Sequence, residues 1–207
     1  MAYLLPADYG NYGLPSGTTP DWITAATALI NSYCRRPDLN VIQYEERLRV
    51  VSGAQTVRLS YLPLAPLGVA VSPLVAMQGK YGRPRRGELP EVMMLEVALA
   101  FSLPGEWTAI DPTTVDFDSD TGELTLPWNV LGLPYNEVMV TYTAGLSEIG
   151  DDVKFACAQI VRNAQAQPAL NASMTKMDTM QMKYFSSSLL DETVMAMLRP
   201  YVANRLG

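Results

Sequence analysis

The sequence predicts an α+β protein: a small helical bundle built from one N-terminal and two C-terminal helices, with an inserted antiparallel β-sandwich or barrel-like module. Three observations lead there. Apolar residues recur at helical spacing near both ends of the chain, and strand-period alternation dominates the middle. The switch between the two is abrupt: Val138–Ala144 reads as strand, Gly145 ends it, and after an acidic turn Val153, Ala156, Cys157, Ile160, Val161 and Ala164 fall on one helix face. The expected organisation is an extended arm at 1–18, a bundle from 19–40 and 146–207, and a β-rich module at 41–145.

The arm carries Pro6, Pro15 and Pro20 with Gly10, Gly13 and Gly17, which argues against a regular element. It also carries Tyr3, Leu4 and Leu5, a candidate contact group, so it is either loosely ordered or laid across its own domain or a neighbour. Thr18 or Thr19 can cap the first helix, with Pro20 at its first position and Asp21 at the positive end of the dipole. Its apolar positions are Trp22, Ile23, Ala26, Leu29, Ile30 and Tyr33, and Pro37 requires it to stop by Arg36.

Strands are expected at 43–51, 56–61, 69–78, 92–101, 114–117, 123–126 and 137–143, the fourth of which can equally be read as helix. Arg47-Leu48-Arg49-Val50 and Thr56-Val57-Arg58-Leu59 alternate as half-buried strands do. A second helix begins at Asp151 and Asp152 and ends near Gln167, before Pro168. Residues 168–187 read as a long irregular Met- and Ser-rich segment. Ser187 or Ser188 then precedes a last helix bearing Leu189, Leu190, Val194, Met197, Leu198, Tyr201 and Val202, with Pro200 at or near its end.

Composition narrows the chemistry. The 207 residues include no histidine, which removes the commonest general base and every Ser-His-Asp or Cys-His arrangement. Cys34 and Cys157 stand far apart, without zinc-ligand spacing, and read as small buried hydrophobes in a reducing setting. No cofactor is therefore expected, and no apolar run approaches the roughly 20 residues of a membrane span. Asp116–Gly122 superficially resembles a calcium loop, but Gly122 is one position late and Pro127 stands where the bidentate Glu belongs; a hairpin turn explains it better. Gly79-Lys80 is read as part of a turn-rich loop without phosphate-loop spacing.

Charge is sparse and uneven. Charged residues make up 17% of the chain and the net charge is −6. Residues 1–104 hold nine Lys/Arg against eight Asp/Glu; residues 105–207 hold six against thirteen. An acidic half disfavours tight phosphate contact. Arg83-Pro84-Arg85-Arg86 is the one basic cluster, either a solvated loop tip or a contact for an acidic neighbour, a tail protein or DNA phosphates. Met174, Met177, Met180 and Met182, followed by Tyr184 and Phe185, sit in the irregular segment. Met side chains adapt to irregular surfaces, so the cluster is either a lid on the bundle's own core or, the reading we favour, a partner contact shared with Tyr201.

The order of these elements resembles the head–tail connector (adaptor) proteins of tailed bacteriophages, in the type that carries a β-insertion. The likeness covers most of the chain. It rests on a first helix closing in Tyr33-Cys34-Arg35-Arg36 and on Gln43–Tyr61 running into Leu62-Pro63-Leu64-Ala65-Pro66. Asp118–Pro127, Val138–Gly145 and two last helices ending in Met197-Leu198-Arg199-Pro200-Tyr201 complete it. The resemblance implies a non-enzymatic virion protein, assembled in the host cytoplasm. Its copies would form a ring, usually twelve-fold, beneath the portal protein, extending the DNA channel and supporting a head-closure (stopper) or tail protein. DNA would pass without specific binding, and the portal or the next subunit would meet Met174, Met177, Met180, Met182, Tyr184, Phe185 and Tyr201.

Two other readings stand beside it. A different virion ring component, such as a head-closure or tail-terminator protein, would be mostly β and would not need three flanking helices. A carbohydrate-binding or enzymatic β-domain would place acidic residues, or Trp107 and Trp128, on an open face; the missing histidine and missing carboxylate motifs count against it.

Overall fold

A computed structural model describes residues 2–50, 55–68, 70–81, 106–127, 135–166, 174–177, 180–183 and 189–203. The fold is α+β, and the chain divides into two compact units, Met1–Leu39 with Glu148–Ala203, and Asn40–Ser147.

The first unit holds three helices among the described residues: α1 (Pro20–Cys34), α2 (Asp151–Ala166) and α3 (Glu192–Leu198). α1 begins at Pro20 behind Thr19, whose side chain makes no cap bond, and buries Ile23, Ala26, Thr27, Ile30 and Cys34. These positions follow one stripe, so Trp22, a third of a turn away, is 41% exposed instead of facing the core. The helix closes on Arg35 in the left-handed region (φ 55), with the Arg36 N–H returning to the Asn31 carbonyl. α2 buries Val153, Ala156, Cys157, Ala158, Ile160 and Val161. Its alanines let α1 approach closely enough for Thr27 to hydrogen-bond Cys157. Each fully buried Ile contributes roughly 2–3 kcal/mol of apolar transfer, and neither short helix is stable without that burial.

The arm belongs to this unit. Tyr3 and Leu4 are buried at 3% and 1% exposure. The Tyr3 hydroxyl bonds the Asn31 side chain and accepts the Leu39 N–H at 2.8 Å. Of the two placements open to the arm, the structure therefore has it laid across its own domain. α3 is capped by Asp191, whose carboxylate accepts the Val194 N–H at 2.7 Å. Leu189 and Leu190 precede the helix rather than lining it, because Asp191 is the better cap.

The irregular segment expected at 168–187 contains an antiparallel ribbon, β8 (Met174–Met177) paired with β9 (Met180–Lys183). Met and polar residues alternate in Met180-Gln181-Met182-Lys183 but not in Met174-Thr175-Lys176-Met177, and Asp178-Thr179 separates the two runs. With only one of the two runs showing a period of two, the hairpin signal is incomplete.

In the second unit, β1 (Ile42–Arg49), β7 (Tyr135–Ala144), β3 (Leu74–Tyr81) and β4 (Trp107–Ile110) form one antiparallel sheet in the order β1-β7-β3-β4. β2 (Thr56–Arg58), β6 (Glu123–Thr125) and β5 (Asp116–Phe117) form a second sheet, ordered β2-β6-β5. The expected strand at 69–78 starts only at Leu74 and runs on, so Gly79-Lys80 lies on a strand and not in a loop; Gly79 and Lys80 pair with Val138 and Glu137 of β7. The expected strand at 114–117 begins as a 3-10 turn, Pro112–Thr114, because Asp111 captures the Thr113 N–H and Pro112 fixes the bend. β4 was not expected. The segment 92–101 lies outside the described residues.

Register sends Tyr44, Val138, Val140, Tyr142, Met77 and Ile110 to the buried side of the four-stranded sheet. Glu46 shares that side, where its carboxylate accepts the Ser60 N–H at 3.1 Å and bonds the Tyr142 hydroxyl. Tyr61, just beyond β2, stacks on Tyr44 with centroids 4.0 Å apart. Gly145 ends β7 at φ +138, and a Cβ there would stand 2.3 Å from the Asn40 carbonyl oxygen. Asn40 and Leu146 form a parallel bridge, so the module's entry and exit strands run side by side.

Candidate functional site

Two adjacent carboxylates gather the helical unit's loose ends. Asp151 and Asp152 open α2 at its positive pole. The Tyr12 hydroxyl donates to Asp151 at 2.7 Å and the Tyr201 hydroxyl donates to Asp152. The Asp151 bond pushes the Tyr12 phenol up to about 12. Burial, aided by Asp152, pushes Tyr201 up to about 12. One helix start thus pins both the N-terminal arm and the C-terminal turn.

Of the candidate arm contacts, Tyr3 and Leu4 are consumed by the unit's own core, while Leu5 is 62% exposed. Burial also raises the Tyr3 phenol well above its ordinary range. Tyr201 is half-buried. Met174, Met177, Met180 and Met182 all lie on the ribbon, where register opposes Met177 to Met180 and Thr175 to Met182. Tyr184, Phe185, Arg83, Arg85, Arg86 and Trp128 lie outside the described residues.

Sequence reasoning missed three exposed apolar side chains on the helical unit besides Leu5: Trp22, Phe155 and Met195, at 41%, 40% and 37% exposure. Phe155 lies under the Arg162 guanidinium, 5.4 Å from its ring centre. Their positions one step off each buried stripe are the signal that could have found them. α1 has a single charged residue, Asp21, so its solvent face is largely uncharged.

The solvent side of the four-stranded sheet carries a cross-strand row, Arg49, Glu137, Lys80 and Trp107. Arg47 donates to Glu137 through Nε at 3.2 Å, and that bond holds the Glu137 carboxyl below its usual range. The Arg47 guanidinium and Lys80 ammonium lie 5.6 and 5.9 Å from the Trp107 ring centre. Trp107 is half-buried under these cations, not an open sugar platform. Across the second sheet, Asp116, Asp118 and Glu123 share a shallow cleft. There Asp118 is engaged by the Asp120 and Thr121 N–H groups, which depress its carboxyl. Gly122 closes the turn at φ +67, so the calcium-like stretch is a hairpin turn. Among the described residues no group of three His, Cys, Asp or Glu is placed to hold a metal ion, and no helix is long and apolar enough to cross a membrane.

Cys34 and Cys157 are buried free thiols, pushed up by burial to about 11. Neither is a nucleophile near neutral pH. Comparison with protein-family models and with curated proteins finds no match.

Proposed function

We propose that this chain is a structural protein of a tailed-phage virion: a head–tail adaptor whose copies form a ring beneath the portal. The ring extends the DNA channel and provides the platform for a stopper or tail. One observation carries the reading. A single helical unit is interrupted twice, by the long β-module Asn40–Ser147 between α1 and α2, and by a β-hairpin excursion between α2 and α3. The order of first helix, β-module and two last helices is the one on which the resemblance to adaptor proteins rests. On this reading the protein catalyses no reaction and acts in the virion.

The test is native mass measurement of the purified chain, alone and mixed with a portal preparation. Portal complexes should gain a fixed number of copies, one ring's worth. A chain that stays monomeric and never joins the portal sinks the proposal.

A further inference from the structure

The excursion that joins α2 to α3 leaves and returns at one place. The Asn163 side-chain amide donates to the Leu189 carbonyl and to the Asp191 carboxylate, each at 3.2 Å. Between those points, the β8–β9 register is centred on residues 178 and 179, which are also the midpoint of 167–190. The paired strands are separated in sequence by two residues, Asp178 and Thr179.

The ribbon is a sheet of two strands, and among the described residues each strand has one neighbour. Antiparallel pairing turns the N–H and C=O of every second residue away from the partner. A lone two-stranded ribbon is marginal in water, and its open edges are templates for another strand. The two edges differ in sequence, Met174-Thr175-Lys176-Met177 and Met180-Gln181-Met182-Lys183, yet they already pair with each other inside the hairpin. Hairpins held in parallel around an axis set β9 of one copy beside β8 of the next, again antiparallel. In the matching register Lys176 opposes Gln181 and Met174 opposes Lys183, so no like charges face each other. Such a contact is head-to-tail, the kind that closes into rings.

We propose that the Met-rich hairpin is an intersubunit zipper, its occupant being the hairpin of a second copy, with β9 of each copy paired to β8 of the next. This rests on the ring reading above. The test uses two single variants of the full chain, Lys176→Cys and Gln181→Cys, oxidised mildly alone and as an equal mixture. Both native thiols have 0% exposure and stay silent. A disulfide-linked heterodimer should dominate the mixture, at least tenfold above either variant alone. Amides at 174–183 of the unmodified protein should gain hydrogen-exchange protection on assembly. Equal homodimer yields in the single variants overturn the zipper, as does a mixture without heterodimer. Rings that form by native mass without the cross-link overturn the zipper and leave the adaptor reading standing. Cross-linked copies that never join a portal support the zipper and remove the adaptor reading.

Discussion

At Gly145 the backbone holds φ +138 with the Asn40 carbonyl oxygen 2.3 Å from where a Cβ would sit. An alanine there meets both an unfavourable conformation and a rigid backbone neighbour. Gly145→Ala should therefore cost about 3 kcal/mol, visible as a lower urea midpoint with unchanged slope. A second residue-scale expectation concerns alkali. Tyr12 and Tyr201, ordinarily near 10, are both pushed to about 12, and Tyr3 and Tyr142 are also raised, chiefly by burial. Between pH 10 and 12 the folded chain therefore holds more protons than the unfolded one, and stability falls as pH rises. The contribution is complete below pH 10 and lost through about 12. Absorbance titration should show these phenols ionising late, together with unfolding; Tyr12→Phe and Tyr201→Phe should remove part of the lag. A smooth titration of all eleven tyrosines near 10 would sink the assignment.

Elements were legible in the sequence where a period was enforced by burial on one side. β1 and β2 alternate as read, since Tyr44, Val57 and Leu59 face in while Arg47, Arg49 and Arg58 face out. α1 and α2 lie close to their expected bounds because Pro20, Pro37 and the Asp151-Asp152 pair mark their ends. β4 was illegible because Trp107-Thr108-Ala109-Ile110 is too short for a period, and its place comes from pairing with β3. Of the candidate contacts, the Met group could be found by composition, but its ribbon could not, since methionine announces neither helix nor strand. If that ribbon serves a partner and not the core, replacing Met174, Met177, Met180 and Met182 together by Ser should weaken ring or portal association at least tenfold. The monomer's Tm should stay nearly unchanged. A monomer that loses several degrees while association is unaffected would make the segment a lid on its own core.

At the scale of the whole molecule, the proposed adaptor reading makes the uneven charge the term that sets DNA affinity. Residues 105–207 carry six basic against thirteen acidic side chains, and a duplex gains affinity chiefly by having its phosphates neutralised. In the first half, Arg47 is already tied to Glu137, which leaves Arg83, Arg85 and Arg86 as the densest basic group. Three contacts can release few counterions, so the slope of log K against log salt should be no steeper than about −2.7. Binding at physiological salt should be no tighter than the ~10⁻⁴–10⁻⁶ M of non-specific contact, and equal for unrelated duplexes. On the proposed adaptor reading, weak and sequence-blind binding of this kind is what a channel component requires. Fluorescence anisotropy with two unrelated duplexes across a salt series reads both quantities. Replacing Arg83, Arg85 and Arg86 by Ala should bring the slope close to zero, because each lost phosphate contact removes about 0.9 from it. A steep slope, or a preference of tenfold for one duplex, would mean that this chain reads DNA and would contradict a passive channel wall.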